Sequence, residues 1–166
     1  MIVLKRVLVP TDFSAPSDAA LTYGRALART FGASLHLLHV AENQFLRPMA
    51  TDPATLTAAH IRWLDDRLTA EDRAELRGRA VVEISDSPAQ AIVDYARGEA
   101  IDLIVMGTQG RSTLSQILVG SVAERVVRTA PCPVLTVRLP EHRFVVPDAS
   151  AKEGSHDSAQ EHPRCH

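Results

Sequence analysis

Apolar residues along this chain follow two alternating rhythms. Five short aliphatic runs, at residues 3–9, 34–40, 80–85, 101–106 and 134–138, read as β-strands. The fourth, Ile101-Asp-Leu-Ile-Val-Met106, is nearly all apolar, as a parallel strand covered on both faces must be, and the first is similar once Lys5 and Arg6 are allowed for. Between the strands the period is helical. A first helix starts after Ser14, carries Ala20, Tyr23, Leu27 and Phe31 on one stripe, and stops at Gly32. Asp52-Pro53 opens a second, with Leu56, Ile61, Leu64 and Leu68 toward the sheet. Thr69 with Asp72 signals a new cap and a break before the turn at 73–77 and Gly78. Ser87 with Gln90 forms a capping box for a further helix that turns Ile92, Tyr95 and Ala96 inward. The last helix begins at Ser121, buries Val122, Val126 and Val127, and pairs Glu124 with Arg128 outside.

Strands that alternate with helices predict an α/β domain built on an open parallel sheet with right-handed crossovers and helices on both faces. Such Rossmann-like sheets take their ligands at the carboxyl ends of the strands, where strand order reverses. From Leu139 onward the chain turns to Glu, Asp, His, Pro, Ser and Lys, so residues 1–140 read as one domain and 141–166 as a polar, disordered tail. The tail contains His156, His162, Cys165 and His166, but no Cys-x2-Cys pair accompanies them, and the reading there is no metal site.

Composition narrows the function classes. The 166 residues are 45% hydrophobic and 23% charged, enough apolar material for a core, without a run long enough to span a bilayer. The apolar start is interrupted by Lys5 and Arg6 and lacks a cleavage site, so it reads as a strand and not as a signal peptide. A formal net charge of -2 removes the electrostatic reason to expect nucleic acid or an anionic membrane as partner. Two cysteines, Cys132 and Cys165, make no disulfide framework, which fits the cytoplasm. Cys132, between two prolines, reads as a small packing residue. His36 and His39 lie three apart and so on opposite faces of their strand, which argues against a shared metal.

The segment with the clearest chemistry follows the fourth strand: Gly107-Thr-Gln-Gly110-Arg111, then Gly120-Ser121 and a helix. Closely spaced glycines let backbone N–H groups approach an anion, and a helix amino terminus favours negative charge, so phosphate is the natural occupant. The spacing is neither a Walker A loop nor the G-x-G-x-x-G dinucleotide fingerprint.

Gly107-x2-Gly110-x9-Gly120-Ser121, between Asp102-Leu-Ile-Val-Met106 and Pro131-Cys-Pro-Val-Leu, resembles the signature of the ATP-binding branch of the universal stress proteins. Val7-Leu-Val-Pro-Thr-Asp12-Phe-Ser and the second strand, ending at Val40, are similar to the same family, and the resemblance spans residues 2 to 138. It implies a five-stranded parallel sheet in the order 3-2-1-4-5. It also implies a nucleotide site. Asp12, following Pro10 and Thr11, would meet the ribose or adenine, the backbone of Val40 the adenine edge, Gly107 after Met106 the ribose, Gly110 and Arg111 the phosphates, and Gly120, Ser121 and Val122 the terminal phosphates. The ligand would be ATP, or ADP or AMP, with Mg2+. Two positions depart from the pattern: Gln109 stands where histidine is frequent, and Phe13 replaces a frequent glycine and would narrow the pocket mouth. Asp12 has a competing role as N-cap of the first helix.

Three functions follow from such a pocket: a regulatory protein whose ATP occupancy sets conformation or dimer state for a protein partner, a slow ATPase or phosphotransferase, or a dimeric scaffold with a vestigial site. Between Gly107 and Ser121 there is no carboxylate, histidine or lysine, which favours binding over turnover. The expected order leaves Val134-Leu-Thr-Val-Arg138 at the sheet edge, where a second copy would pair and bury Val134, Leu135 and Val137, unless Phe144, Val145 and Val146 of the tail fold back over the same edge and keep the chain monomeric.

Overall fold

The computed structural model describes residues 1–41, 53–108 and 120–139. The chain runs β1 Arg6–Pro10, α1 Ala15–Phe31, β2 Ser34–Ala41, α2 Pro53–Arg67, α3 Ala70–Glu75, β3 Arg79–Ile84, α4 Pro88–Gly98, β4 Leu103–Gly107, α5 Ser121–Thr129 and β5 Val134–Val137. Its strands form one parallel sheet in the order β3-β2-β1-β4-β5, as expected. Strand alternation divides the core in two. Val7, Val9, Leu35, Leu37 and Val105 pack with Ala20, Leu21 and Tyr23 of α1 and with Leu64 and Leu68 around the end of α2. Leu8, Leu38, Ile104 and Met106 point the other way, onto Ile92 and Ala96 of α4 and Ala123 and Val126 of α5. Each large apolar side chain buried here contributes about 1.5–3 kcal/mol relative to exposure. No helix among the described residues is long and apolar enough to cross a membrane.

Helix ends follow local chemistry. Gly32 adopts φ 64 and its region of the chain closes α1 through bonds to the Ala28 and Arg29 carbonyls. Thr69 and Asp72 form the reciprocal capping box that their spacing predicts. Glu124 and Arg128 pair at 2.9 Å.

Several positions differ from the pattern. β1 begins at Arg6, because the N–H groups of Lys5 and Arg6 donate to Asp102 Oδ2, at 2.7 and 2.9 Å, and Met1 to Val3 stay exposed. Ser87 precedes α4 without a capping box: with φ -123 and ψ 80 its hydroxyl makes no bond to the first turn, its N–H donates to Ser85 Oγ at 3.1 Å, and Gln90 reaches Asp94 at 2.9 Å. Ile61, Val127 and Phe31 are exposed, since each sits at the margin of an apolar stripe whose centre, at Leu64, Val126 and Ala28, takes the contact with the sheet. Tyr95 is only half-buried, its hydroxyl 2.9 Å from His36 Nδ1. The expectations at Asp52, Gln109, Gly110, Arg111 and the tail after residue 139, and for the side chain of Leu56, lie outside what the structure describes.

Candidate functional site

Where β1 ends, the chain enters a turn that is held from several sides. Pro10 and Thr11 are buried, and the Thr11 N–H extends the parallel ladder by donating to the Leu38 carbonyl at 2.8 Å. The Thr11 Oγ1 accepts the Phe13 N–H at 3.0 Å and lies 3.0 Å from Ser17 Oγ. Because Ser17 Oγ donates to the Ser14 carbonyl at 2.8 Å, Thr11 supplies the proton between the two hydroxyls. Asp12 Oδ1 accepts from the Ser14 N–H at 3.1 Å and from its hydroxyl at 2.5 Å. The N-cap of α1 is therefore Ser14, and Asp12, two residues earlier, does not fill the capping position considered for it; it instead closes an Asx turn that orients Ser14.

Phe13 has φ 65, in the left-handed region that bulky residues rarely occupy and that costs on the order of 1–3 kcal/mol. Its ring is held by side chains from two elements. His39 lies 4.5 Å away between centroids, Trp63 meets it edge-on at 5.5 Å, and the Arg67 guanidinium sits 4.8 Å above it. Arg67 is itself fixed by Asp18 of α1 at 2.8 Å. His39 also reaches the turn directly, its Nδ1 donating to the Thr11 carbonyl at 2.8 Å. This ring cluster was not legible in the sequence, since its members come from β2, α2 and the turn after β1.

Val40 presents backbone to the same region. The Leu38 carbonyl points toward β1 and the Ala41 carbonyl toward β3, where it accepts the Ser85 N–H. By alternation the N–H and C=O of Val40 point to the β1 side, one step beyond the last residue of β1 that pairs.

On the other side of β1, β4 brings up Met106 and Gly107. The Met106 side chain belongs to the core against α4 and α5, so only its backbone is available to a ligand. A Cβ at Gly107 would stand 2.9 Å from Pro16 backbone atoms, so glycine is required there by the first turn of α1. Thr108 donates its N–H to the Val137 carbonyl, and its own carbonyl accepts the Gly120 N–H at 2.5 Å. That bond sets the β4 end against the amino terminus of α5. Gly120 is the N-cap and has no side chain to satisfy the first turn, where Ser121 is exposed and Val122 half-buried. The Thr108 Oγ1 is buried and has no hydrogen-bond partner among the described residues. The structure thus gathers Pro10, Thr11, Asp12, Val40, Met106, Gly107, Gly120, Ser121 and Val122 at the carboxyl ends of β2, β1 and β4.

The remaining candidates stand apart. His36 and His39 lie on opposite faces of β2, the first buried beside Tyr95 and the second in the ring cluster. Cys132 is half-buried, and burial pushes its thiol above the ordinary value, as suits a packing residue.

Known proteins share this fold. A universal stress protein of Methanocaldococcus jannaschii is 32% identical over 150 residues, covering 82% of this chain and 84% of its own. Among solved structures, UspA of Lactobacillus plantarum superposes with a TM-score of 0.69 at 27% identity, over 83% of this chain and all (100%) of that one. A universal stress protein solved in complex with cAMP gives a TM-score of 0.60 at 27% identity, over 82% and 98% of the two chains. The model of the universal stress protein family, Usp, matches residues 4–138, and the chain belongs to that family.

Proposed function

We propose that this protein binds an adenine nucleotide, ATP in the first instance, at the carboxyl ends of β1, β2 and β4, and acts in the cytoplasm as a nucleotide-dependent regulatory protein. The observation that carries this reading is the bond from Gly120 N–H to the Thr108 carbonyl, which brings the amino terminus of a nine-residue helix to the end of β4, the strand beside the one that leads into Asp12. The N–H groups of a helix amino terminus attract phosphate. The buried Thr108 hydroxyl, without a hydrogen-bond partner among the described residues, adds a donor there. A relative in complex with cAMP supports adenine nucleotides as the ligand class.

In this reading the outward backbone of Val40 meets the adenine edge, and Asp12 the ribose. Gly107 borders the sugar, with Pro10, Thr11 and Met106 as backbone wall. Gly110 and Arg111 take the phosphates on the strength of the sequence pattern, and Gly120, Ser121 and Val122 the terminal ones. Mg2+ would arrive on the ATP phosphates, with the Asp12 carboxylate nearby at the strand ends.

We also propose a homodimer. β5 is an edge of the sheet, its Thr136 exposed and Val134 and Leu135 half-buried, so a second copy would complete its ladder and cover both aliphatic side chains. Val137 is already buried within one copy and adds little to that interface. A protein partner would then sense nucleotide-dependent changes in the dimer.

Mass spectrometry of small molecules released by denaturing freshly purified protein tests the ligand class. Stoichiometric ATP, ADP or AMP is the expected result. A stoichiometric ligand without an adenine would overturn the reading.

A further inference from the structure

We propose that Phe13 is a positioning residue for the Asp12 carboxylate, clamped from α2 so that the ring cluster sets nucleotide affinity; the inference rests on the nucleotide reading above. Three non-glycine residues among those described have positive φ: Phe13, Arg77 and Ala100. Arg77 and Ala100 follow the C-caps of α3 and α4, where a left-handed residue ordinarily ends a helix. Phe13 precedes a helix, so helix termination does not account for it.

Its ring contacts do account for it. Arg67 covers the Phe13 ring, Trp63 meets it edge-on and His39 lies tilted against it. Aromatic pairs and a cation over a ring face hold such geometry. The residue between Thr11 and Phe13 is Asp12, and both neighbours are tied down: the Thr11 carbonyl by His39 Nδ1, and the Phe13 N–H by Thr11 Oγ1. Asp12 therefore has both flanking peptides fixed, and its Oδ1 is oriented by Ser14. His39 touches both the ring and the Thr11 carbonyl, so the ring and the carboxylate's backbone are joined through one side chain.

Glycine at position 13 would accept the backbone angle and lose the clamp; alanine would lose the clamp and keep the strain. If Phe13 served only the backbone angle, Phe13→Gly would leave affinity unchanged. As a positioning residue, Phe13→Gly and Phe13→Ala should both weaken ATP binding about tenfold, the worth of one charge-assisted hydrogen bond, and Phe13→Tyr should restore it.

The deciding experiment is a double-mutant cycle by calorimetry with ATP as probe, in wild type, Phe13→Gly, Asp12→Asn and the double variant. Asp12→Asn should weaken binding on its own, and adding Phe13→Gly should cost nothing further. Losses that multiply, or a Phe13→Gly variant of wild-type affinity, would overturn the positioning role while leaving the nucleotide site standing. Wild-type protein that binds no ATP would overturn both. Should Phe13→Gly fold poorly by circular dichroism, Arg67→Leu removes the clamp from the α2 side. It should show the same dependence on Asp12, and independence from Asp12 would overturn the proposal.

Discussion

A Cβ built on Gly107 would lie 2.9 Å from the carbonyl carbon, the carbonyl oxygen and the Cβ of Pro16. The end of β4 and the first turn of α1 thus meet without room for a side chain, next to the turn that carries Asp12. Gly107→Ala must push α1 from the strand ends. It should destabilise the fold by about 1–3 kcal/mol, as overpacking at a close contact does, and weaken ATP binding with it. Urea unfolding checks the first effect; an unchanged midpoint would mean that α1 shifts freely.

Much of this architecture was written in local pattern. The run from Ile101 to Met106 is apolar because β4 is covered on both faces, and Thr69 with Asp72 marked a cap whose partners lie three residues apart. Those signals need no tertiary information. Ser87 with Gln90 has the same spacing and makes no side-chain cap: the Ser87 N–H donates to Ser85 Oγ, and Gln90 reaches Asp94. Ile61 and Val127 fit their helical stripes and are exposed, since a stripe does not say how far the sheet extends beneath it. The sequence pattern marks the glycines and Asp12 as candidate site residues, but it carries no sign of the second demand on Gly107, contact with Pro16. Nor does it show the ring cluster, whose His39, Trp63 and Arg67 reach Phe13 only after β2 and α2 are laid beside β1.

His36 gives the fold a dependence on pH. It is buried, its Nδ1 2.9 Å from the Tyr95 hydroxyl, and burial foremost, followed by Arg79, holds its pKa below the ordinary 6.5; Glu99 opposes this and Arg6 adds to it. The unfolded chain therefore takes up this proton more readily than the folded one. The neutral histidine's stabilising contribution is complete above pH 6.5 and is lost as pH falls below it, toward the lowered folded value. The melting temperature of wild type should fall more steeply between pH 7 and 5 than that of His36→Gln, which keeps a polar partner for Tyr95. Parallel pH profiles would rule His36 out as the source.

The edge position of β5 makes dimerisation testable with one substitution. Thr136 is exposed on β5, and proline there removes a ladder donor and restricts the backbone. Light scattering should find a dimer for the full-length protein at micromolar concentration and a monomer for Thr136→Pro. A full-length monomer, or a proline variant that stays dimeric, would exclude this interface.

Under the proposed function an adenine nucleotide sits where β1, β4 and the start of α5 meet. Calorimetric titration of ATP into wild-type protein freed of bound small molecules, and into Ser121→Glu, tests it most directly. Ser121 is exposed on the first turn of α5, and a carboxylate there would repel phosphate. The expected result is saturable one-to-one binding by wild type with a Kd in the micromolar range, about -8 kcal/mol, and a loss of at least about tenfold in the folded variant. No heat of binding from wild type at millimolar ATP, or equal affinity in the two proteins, would contradict it.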